Sequence, residues 1–315
     1  MNIKSEYTLI GIDGGGTRTR GIVRRGNKVL AEATAGSTRI GAVGVGESCE
    51  RLLTMIEDLC EKAEIDSAEI DAVVIGLAGV WLEEEKLRST KLIKTLARGQ
   101  EMTLNDVMVT SDAELALEGA FEGNPGVVMI VGTGSIAIGK TEKNKIIRCG
   151  GWGIELDDEG SGAWIGREGL TAIVRDIDGR GKKTKLLEPF ADINPSIDLK
   201  EARTIVKAFA ERAFEYHMLS PMVMKCAVEK DPVCLEIIKR AAEHLVEHLD
   251  ALYGQFNIKQ IPIALMGGII DADTLLSKMV SEAVQKDKRY KLIKAKGSAV
   301  DGAIAIGYKL IDEME

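Results

Sequence analysis

Two stretches of the chain repeat the same order of apolar runs and polar turns. In residues 7–33, YTLIGIDGGGTRTRGIVRRGNKVLAEA, three apolar runs are separated by a glycine-rich turn and by RRGNK. Residues 126–151, GVVMIVGTGSIAIGKTEKNKIIRCGG, have a glycine-rich turn and TEKNK in the corresponding places. Short apolar runs joined by such turns predict a three-stranded antiparallel meander in each stretch. The repeat therefore indicates two duplicated domain cores.

The remaining periodicity predicts helices and buried parallel strands. Residues 47–64 carry apolar side chains at helical spacing, and DAVVIGLAG and DVMVTSD have the continuous apolar character of buried strands. From about residue 160 to 260 the pattern is mostly helical, interrupted by DGRGKKTK. IPIALMGGII reads as a further strand, and DGAIAIGYKLIDEME as a closing helix. These elements predict an α/β fold.

Residues 134–141, GSIAIGKT, match the Walker A pattern, but their context is wrong for a P-loop. A P-loop follows a strand and opens a helix, with flexible glycines around the phosphates. Here the interior contains Ile136 and Ile138, and a charged turn follows Lys140 and Thr141. By analogy with the first repeat, the phosphate turn is 132–135, and IAIGK is predicted to be a strand.

Composition narrows the class of protein. The 315 residues carry a net charge of −8, which argues against nucleic acid as the main partner. Neither a long apolar run nor a signal-peptide pattern occurs, so no membrane association is expected. Five cysteines without a Cys-x-x-Cys pair suggest reduced thiols in a cytoplasmic protein.

An ordered set of motifs resembles one family. They are GIDGGGTRTR, GSTR, SDAELAL, VGTGS, GGWGIELDDEGSGAWIG, MGGI and GSAVDGA, in that order along the chain. Together they resemble the N-acetylglucosamine kinase and BadF/BadG/BcrA/BcrD ATPase-like family, within the actin, hexokinase and Hsp70 superfamily. The resemblance implies two ribonuclease-H-like domains, 1–116 with 298–315 and 117–297, with a cleft between them. It further implies ATP and Mg²⁺ as cofactors and a homodimer.

The resemblance assigns the nucleotide site to glycine-rich backbone, which approaches phosphates closely. By resemblance, Asp13 holds Mg²⁺, mostly through its waters. The ATP-binding residues implied by the resemblance are Gly14, Gly15, Gly16, Thr17, Gly132, Thr133, Gly134, Ser135, Gly267 and Gly268.

Asp112 follows a predicted strand and precedes a helical run, a position where open α/β sheets place ligands. The resemblance makes Asp112 the catalytic base that accepts a proton from a sugar hydroxyl. Read locally, Asp112 is also a favoured N-cap residue for AELAL, and the two roles are compatible.

The resemblance implies that Thr38, Arg39, Asp112, Gly151, Trp152 and Asp158 bind the sugar. Arg39 stands where N-acetylglucosamine kinases have Asn, and a fixed cationic fork replaces a neutral hydrogen-bonding group. Three interpretations stay open: Arg39 binds an anionic substrate, pairs with Asp157, or lies at the surface. Asp157 is also a departure from the family, which usually has glycine there.

Two other sites are set aside. His244 and His248 match His-x-x-Glu-His, but apolar residues at helical spacing explain the segment, and both histidines are predicted to face solvent. Activators of 2-hydroxyacyl-CoA dehydratases need iron–sulfur-cluster-binding cysteines that DDEGSGAWIGREGL lacks.

The sequence thus predicts an ATP-dependent kinase of a hexose or amino sugar. The alternatives are a kinase of an acidic sugar, such as 2-keto-3-deoxygluconate or N-acetylmuramic acid, and a regulatory ATPase without a sugar substrate.

Overall fold

The structure, a computed structural model, describes residues 7–313. The strands are β1 (Thr8–Gly14), β2 (Arg18–Arg25), β3 (Lys28–Gly36), β4 (Ala72–Leu77), β5 (Asp106–Ser111), β6 (Gly126–Val131), β7 (Ser135–Lys140), β8 (Ile146–Gly150), β9 (Ile261–Met266) and β10 (Tyr290–Ile293). The helices are α1 (Ile40–Val43), α2 (Val45–Ala63), α3 (Glu83–Gly99), α4 (Asp112–Phe121), α5 (Gly162–Ile177), α6 (Leu187–Ala191), α7 (Arg203–Ala210), α8 (Tyr216–Val228), α9 (Pro232–Tyr253), α10 (Gly268–Asp271), α11 (Leu275–Lys286) and α12 (Ala299–Asp312), with a 3-10 turn at Ser67–Glu69. Within the described range, no helix is long and apolar enough to cross a membrane.

The chain divides into two compact units. The first consists of Met1–Asn124 with Lys294–Glu315, and the second of Pro125–Ile293. These edges lie eight and four residues from the sequence-based division at 116 and 298. The first unit keeps the whole of α4 because α4 packs along α12 of the same unit.

Each unit is built on a five-stranded mixed sheet. The strand order is β3-β2-β1-β4-β5 in the first unit and β8-β7-β6-β9-β10 in the second. In both sheets the first three strands in sequence are antiparallel neighbours, and the fourth and fifth run parallel to the first. The same topology therefore occurs twice, which confirms the predicted duplication and the α/β fold class.

The segment that matched the Walker A pattern is confirmed as a strand. Residues 135–140 form β7, which pairs antiparallel with β6 along its whole length. The glycine-rich turn precedes β7, as it precedes β2 in the first unit. A P-loop helix is thereby excluded at this position.

The apolar faces predicted from periodicity supply a core in each unit. In the first, the buried face of α2 packs with β1, β4 and β5 around residues such as Ile10, Leu52 and Ile75. In the second, α5, α8 and α9 enclose residues such as Trp164, Leu219 and Leu245. Trp164 is thus a core residue.

Two glycines hold α4 tightly against α12. A Cβ on Gly119 would lie 2.0 Å from the Ser298 carbonyl oxygen, and one on Gly302 would lie 2.0 Å from that of Leu115. Only hydrogen side chains permit this approach. The contact fixes the helix that begins at Asp112.

Candidate active site

The carboxyl ends of β1, β4 and β5 meet at one edge of the first sheet. Asp13 pairs in register with Gly76, and Gly76 pairs with Thr110. A Cβ on Gly76 would lie 3.0 Å from the Asp112 Cα and 2.5 Å from a Leu115 methyl carbon. The missing side chain therefore lets the start of α4 approach the sheet beside Asp13.

Asp112 is not the cap of its helix. Ser111 is the N-cap: its Oγ accepts the Glu114 N–H at 3.1 Å, and the Glu114 carboxylate accepts the Ser111 N–H at 3.1 Å. Lys86 pairs with Glu114 at 2.9 Å, and Thr110 donates its hydroxyl to Glu114. Because this cluster caps the helix, the capping interpretation of Asp112 is wrong. The Asp112 carboxylate instead accepts the Ala113 N–H at 2.9 Å.

Both carboxylates at this edge hold their protons unusually well. Burial raises the pKa of Asp13 to about 6, against a lowering effect of Arg20, its cross-strand partner. Burial, together with the negative charge of Asp13, raises the pKa of Asp112 to about 7. The Ala113 N–H and the positive charge of Arg39 oppose these effects on Asp112. The carboxyl of Asp112 therefore titrates near neutral pH.

The first glycine-rich turn packs on the Thr38 side chain. Gly15 donates its N–H to the Arg18 carbonyl at 3.1 Å, which closes the turn. A Cβ on Gly14 would lie 2.5 Å from the Thr38 Oγ1, so Thr38 packs directly beneath the turn. Thr38 is buried, and its hydroxyl lies 3.0 Å from that of Thr19.

Arg39 lies beside the same turn with a free guanidinium. Its side chain is exposed, and its Cδ lies 4.0 Å from where a Gly16 Cβ would be. The charge reaches Asp112, whose pKa it lowers. Among residues 7–313 the guanidinium makes no hydrogen bond or ion pair.

The second glycine-rich turn is tied to the start of α5. Gly132 donates its N–H to the Gly134 carbonyl at 2.9 Å. The N–H groups of Gly162 and Ala163 donate to the carbonyls of Gly132 and Thr133 at 2.9 and 3.0 Å. These bonds use the carbonyls of the turn and leave it anchored on the helix.

The acidic segment 157–159 lies against this turn. Ser135 is buried and donates its hydroxyl to the Glu159 carbonyl at 2.8 Å. The Ser135 N–H lies 3.4 Å from the Asp158 Oδ1, and both Asp158 oxygens lie 3.0 Å from where a Gly134 Cβ would be. Asp158 has φ of 53°, a left-handed conformation that is costly for a side chain with a Cβ.

Gly267 and Gly268 have different surroundings. Gly267 has φ of 106° and ψ of 156°, and a Cβ there would lie 2.5 Å from the Val131 carbonyl oxygen. This close approach places the end of β9 directly against the residue before Gly132. At Gly268 a Cβ would meet no atom within 4 Å, so this backbone faces open space.

The loop after β8 presents Trp152. Gly151 has φ of 73°, and a Cβ there would lie 2.9 Å from the Ile136 Cδ1, so the loop starts tightly packed on β7. The Trp152 side chain is 64% exposed, and the Arg148 guanidinium lies 4.4 Å from its ring centre. The indole is therefore available to a ligand on its other face.

The carboxylates suit a hydrated cation rather than a protein-built metal cluster. Residues 7–313 contain no group of three or more acidic, histidine or cysteine side chains arranged around a metal position. Asp13 is half-buried, and its carboxylate makes no hydrogen bond or ion pair with another described residue. Mg²⁺ is usually held by one or two carboxylates, waters and substrate phosphates, so this donor set fits it.

Comparison with known proteins identifies the family. The model of the BadF/BadG/BcrA/BcrD ATPase family matches residues 10–307. The chain belongs to this ATPase family.

Relatives of this BadF-family chain include sugar kinases. The N-acetylmuramic acid/N-acetylglucosamine kinase of Clostridium acetobutylicum is 30% identical over 95% of this chain and 97% of its own. The N-acetyl-D-glucosamine kinase of Dictyostelium discoideum is 26% identical over 90% and 92%. A crystal structure of a proposed N-acetylglucosamine kinase from Chromobacterium violaceum superposes with a TM-score of 0.78, at 26% identity, over 96% of this chain and 99% of that one. The family resemblance read from the motifs is confirmed.

Within the BadF-family chain, the residues singled out from sequence divide between the two units. Asp13, Gly14–Thr17, Thr38, Arg39 and Asp112 lie in the first unit, and the other candidates lie in the second. Gly76 and the Ser111–Glu114 capping box were not among the predicted features, although a glycine inside a strand pattern and Ser-x-x-Glu are readable signals. The predicted solvent exposure of His248 is wrong, because this residue is 5% exposed.

Proposed function

We propose that this chain is an ATP-dependent kinase that phosphorylates a hydroxyl of N-acetylglucosamine or a closely related amino sugar. The observation that carries the proposal is the state of Asp112. Its carboxyl stands at the carboxyl end of a parallel strand, is not used as a helix cap, and has its pKa raised to about 7. A general base is most effective when its pKa is near the working pH.

In the proposed reaction, Asp112 accepts the proton of the attacking sugar hydroxyl. The hydroxyl oxygen forms a bond to the γ-phosphorus, while the bond between that phosphorus and the β–γ bridging oxygen breaks. ADP leaves with the electrons of that bond, and the proton remains on the Asp112 carboxyl. The residues contribute mainly by positioning and by stabilising charge, as in other phosphoryl transfers.

The phosphates are assigned to the two glycine-rich turns, Gly14–Thr17 and Gly132–Ser135. The backbone N–H groups that are not used inside these turns, together with the Thr17 and Thr133 side chains, bind phosphate oxygens. Gly267 and Gly268 offer bare backbone to the adenosine. Asp13 would hold Mg²⁺ through the ion's water shell, and the bound ion supplies neutralisation of phosphate charge.

Of the residues proposed to bind the sugar, Gly151, Trp152 and Asp158 lie in the second unit, and Thr38 lies in the first. Asp158 accepts hydrogen bonds from sugar hydroxyls, and Gly151 and Trp152 line the sugar. The Thr38 side chain packs against Gly14. Its proposed contact with the sugar has to be tested separately, with a variant at position 38.

A kinase of an acidic amino sugar is the second candidate, because Arg39 has a free guanidinium near Asp112. A guanidinium pairs bidentately with a carboxylate, and the lactyl group of N-acetylmuramic acid carries one. One relative is named for both N-acetylmuramic acid and N-acetylglucosamine. 2-Keto-3-deoxygluconate offers the same carboxylate chemistry.

The test is a coupled assay of ADP release with Mg·ATP and a panel of sugars. The panel holds N-acetylglucosamine, glucosamine, glucose, N-acetylmuramic acid and 2-keto-3-deoxygluconate. We expect turnover with amino sugars and a loss of about 10²-fold or more in Asp112→Asn. ADP release that is the same with and without every sugar would contradict the kinase and favour a regulatory ATPase.

Arg39→Asn separates the two kinase candidates. If Arg39 binds a substrate carboxylate, the variant loses kcat/KM about tenfold or more for N-acetylmuramic acid and keeps it for N-acetylglucosamine. Arg98→Asn, near the end of α3, is the matched control for loss of a surface arginine. Equal effects of Arg39→Asn on both sugars would assign Arg39 to the phosphates or the surface.

A homodimer in the cytoplasm completes the proposal. The dimer rests on the family resemblance, and the location on ATP use and on five cysteines that are all free. Light scattering after size-exclusion chromatography tests the dimer, and a monomeric mass would contradict it.

A further inference from the structure

His248 is buried under the loop that follows β8. It lies on α9 with its side chain 5% exposed, close to the chain at Gly150. A Cβ on Gly150 would lie 2.3 Å from the His248 Nε2, and Gly150 has φ of 80°. Glycine is therefore required at position 150 by its conformation and by the imidazole packed on it.

The hydrogen bonds of the imidazole fix which nitrogen faces the loop. The Nδ1 lies 2.7 Å from the His244 carbonyl oxygen, so Nδ1 carries a proton and donates it. The Nε2 is consequently the nitrogen that faces Gly150 and the loop after it. It lies 4.0 Å from the Asp157 Oδ1.

Asp157 in turn ties the loop to itself. Its other oxygen, Oδ2, accepts the Trp152 N–H at 3.3 Å, and its own N–H donates to the Gly153 carbonyl at 2.7 Å. The Asp157 side chain is largely buried, so its charge is poorly solvated. A buried carboxylate needs a compensating partner. Because the Nδ1–H is already donated to the His244 carbonyl, Nε2 can donate to Asp157 only in the doubly protonated imidazolium, which also supplies the compensating charge.

We propose that His248 is a positioning residue that holds the 151–158 loop through Asp157. The two residues form a tether from α9 to the segment that carries Trp152 and Asp158. The role in sugar binding rests on the proposed function, because it takes this loop as the sugar loop. The tether itself rests only on the contacts within the second unit. It gives a function to Asp157, which stands where the family usually has glycine.

Limited proteolysis with chymotrypsin tests the tether without relying on kinase activity. The loop exposes Trp152 and Leu156, the latter 81% exposed, and both are sites for this protease. We expect cleavage after these residues, mapped by mass spectrometry, to be about tenfold faster in His248→Leu, since the freed loop opens more often. His248→Gln keeps an amide donor that can reach Asp157, so we expect it to restore most of the protection. His217→Gln is the control, because His217 lies on α8 and is paired with Glu215, the N-cap residue of that helix.

Asp157→Asn removes the other half of the tether. Agreement between this variant and His248→Leu would show that the faster cleavage does not come from a general loss of stability in one of them. We expect Asp157→Asn to speed the same cleavages, and the double variant with His248→Leu to be no faster than either single variant. In the sugar assay, each variant should raise the sugar KM about tenfold and change kcat and the ATP KM less than twofold. A wild-type chain inactive on every sugar would reject the proposed function, while the cleavage rates still decide the tether. Cleavage unchanged in both single variants, or additive in the double variant, would overturn it.

Discussion

The surroundings of the Asp112 carboxyl determine over which pH range the proposed base can act. Burial and the charge of Asp13 raise its pKa to about 7, so the carboxyl is protonated and inactive below that pH. We therefore expect kcat/KM for the sugar to fall about tenfold per pH unit below about pH 7 and to level off above it. A pH series of kcat/KM in a salt-matched buffer set measures this.

The control for this pH dependence is Asp106→Asn, at the opposite end of β5. It should leave the profile unchanged, whereas the residual activity of Asp112→Asn should lose the acidic limb. A profile that is flat from pH 5 to 8 would show that the ionisation of Asp112 does not limit the reaction.

Neighbouring glycines after β9 make a matched pair. Gly267→Ala places a methyl group 2.5 Å from the Val131 oxygen in a backbone region almost restricted to glycine, at a cost of roughly 1–3 kcal/mol. Gly268→Ala meets open space, so the unfolding free energy should be unchanged. If adenosine lies on Gly268, Gly268→Ala should also raise the ATP KM about tenfold and leave the sugar KM unchanged. Urea unfolding and steady-state kinetics on both variants measure the two effects, and an unchanged ATP KM in Gly268→Ala would move the adenosine elsewhere.

At the start of helix α4, the residues that cap the helix differ from the residue proposed to act as the base. The capping box belongs to Ser111 and Glu114, so Ser111→Ala should cost about 1 kcal/mol of unfolding free energy. Ser89→Ala, inside α3, is the control and should cost nothing, because alanine favours a helix interior. Asp112→Asn should be no less stable than wild type in the same urea titration. A loss of stability in Asp112→Asn equal to that in Ser111→Ala would return the capping role to Asp112.

The strands and helices differ in how far they could be predicted from the sequence. The hairpins β1–β3 and β6–β8 were predictable because their glycine-rich turns and apolar runs are local signals. Strand β10 was missed because its four residues become a strand only by pairing with β9. The burial of His248 was also missed, since the polar face of α9 is covered by a loop distant in sequence. Contacts of this kind depend on tertiary packing, which periodicity does not contain.

For the whole molecule, duplication explains where the candidate residues lie. The turns Gly14–Thr17 and Gly132–Ser135 connect corresponding strands of two sheets with one topology. The acidic groups do not follow this repeat: Asp112 follows β5, whereas Asp158 lies between β8 and α5. Duplication therefore accounts for the corresponding positions of the two glycine-rich turns, whereas Asp112 and Asp158 lie at positions that the repeat does not relate.

Two separate cores also predict how the chain unfolds. Each unit encloses its own apolar cluster, and a domain with its own core can unfold as a cooperative unit. Trp81 lies in the first unit and Trp164 in the second, so variants that keep one of them report on each unit separately. We expect urea titrations of these single-tryptophan variants, with Trp152 replaced by Phe in both, to give different midpoints. The buried Trp164 packs among α5, α8 and α9, so its signal follows the core of the second unit directly. Circular dichroism of each variant controls for the substitutions, and coincident midpoints by all probes would mean that the two cores unfold as one.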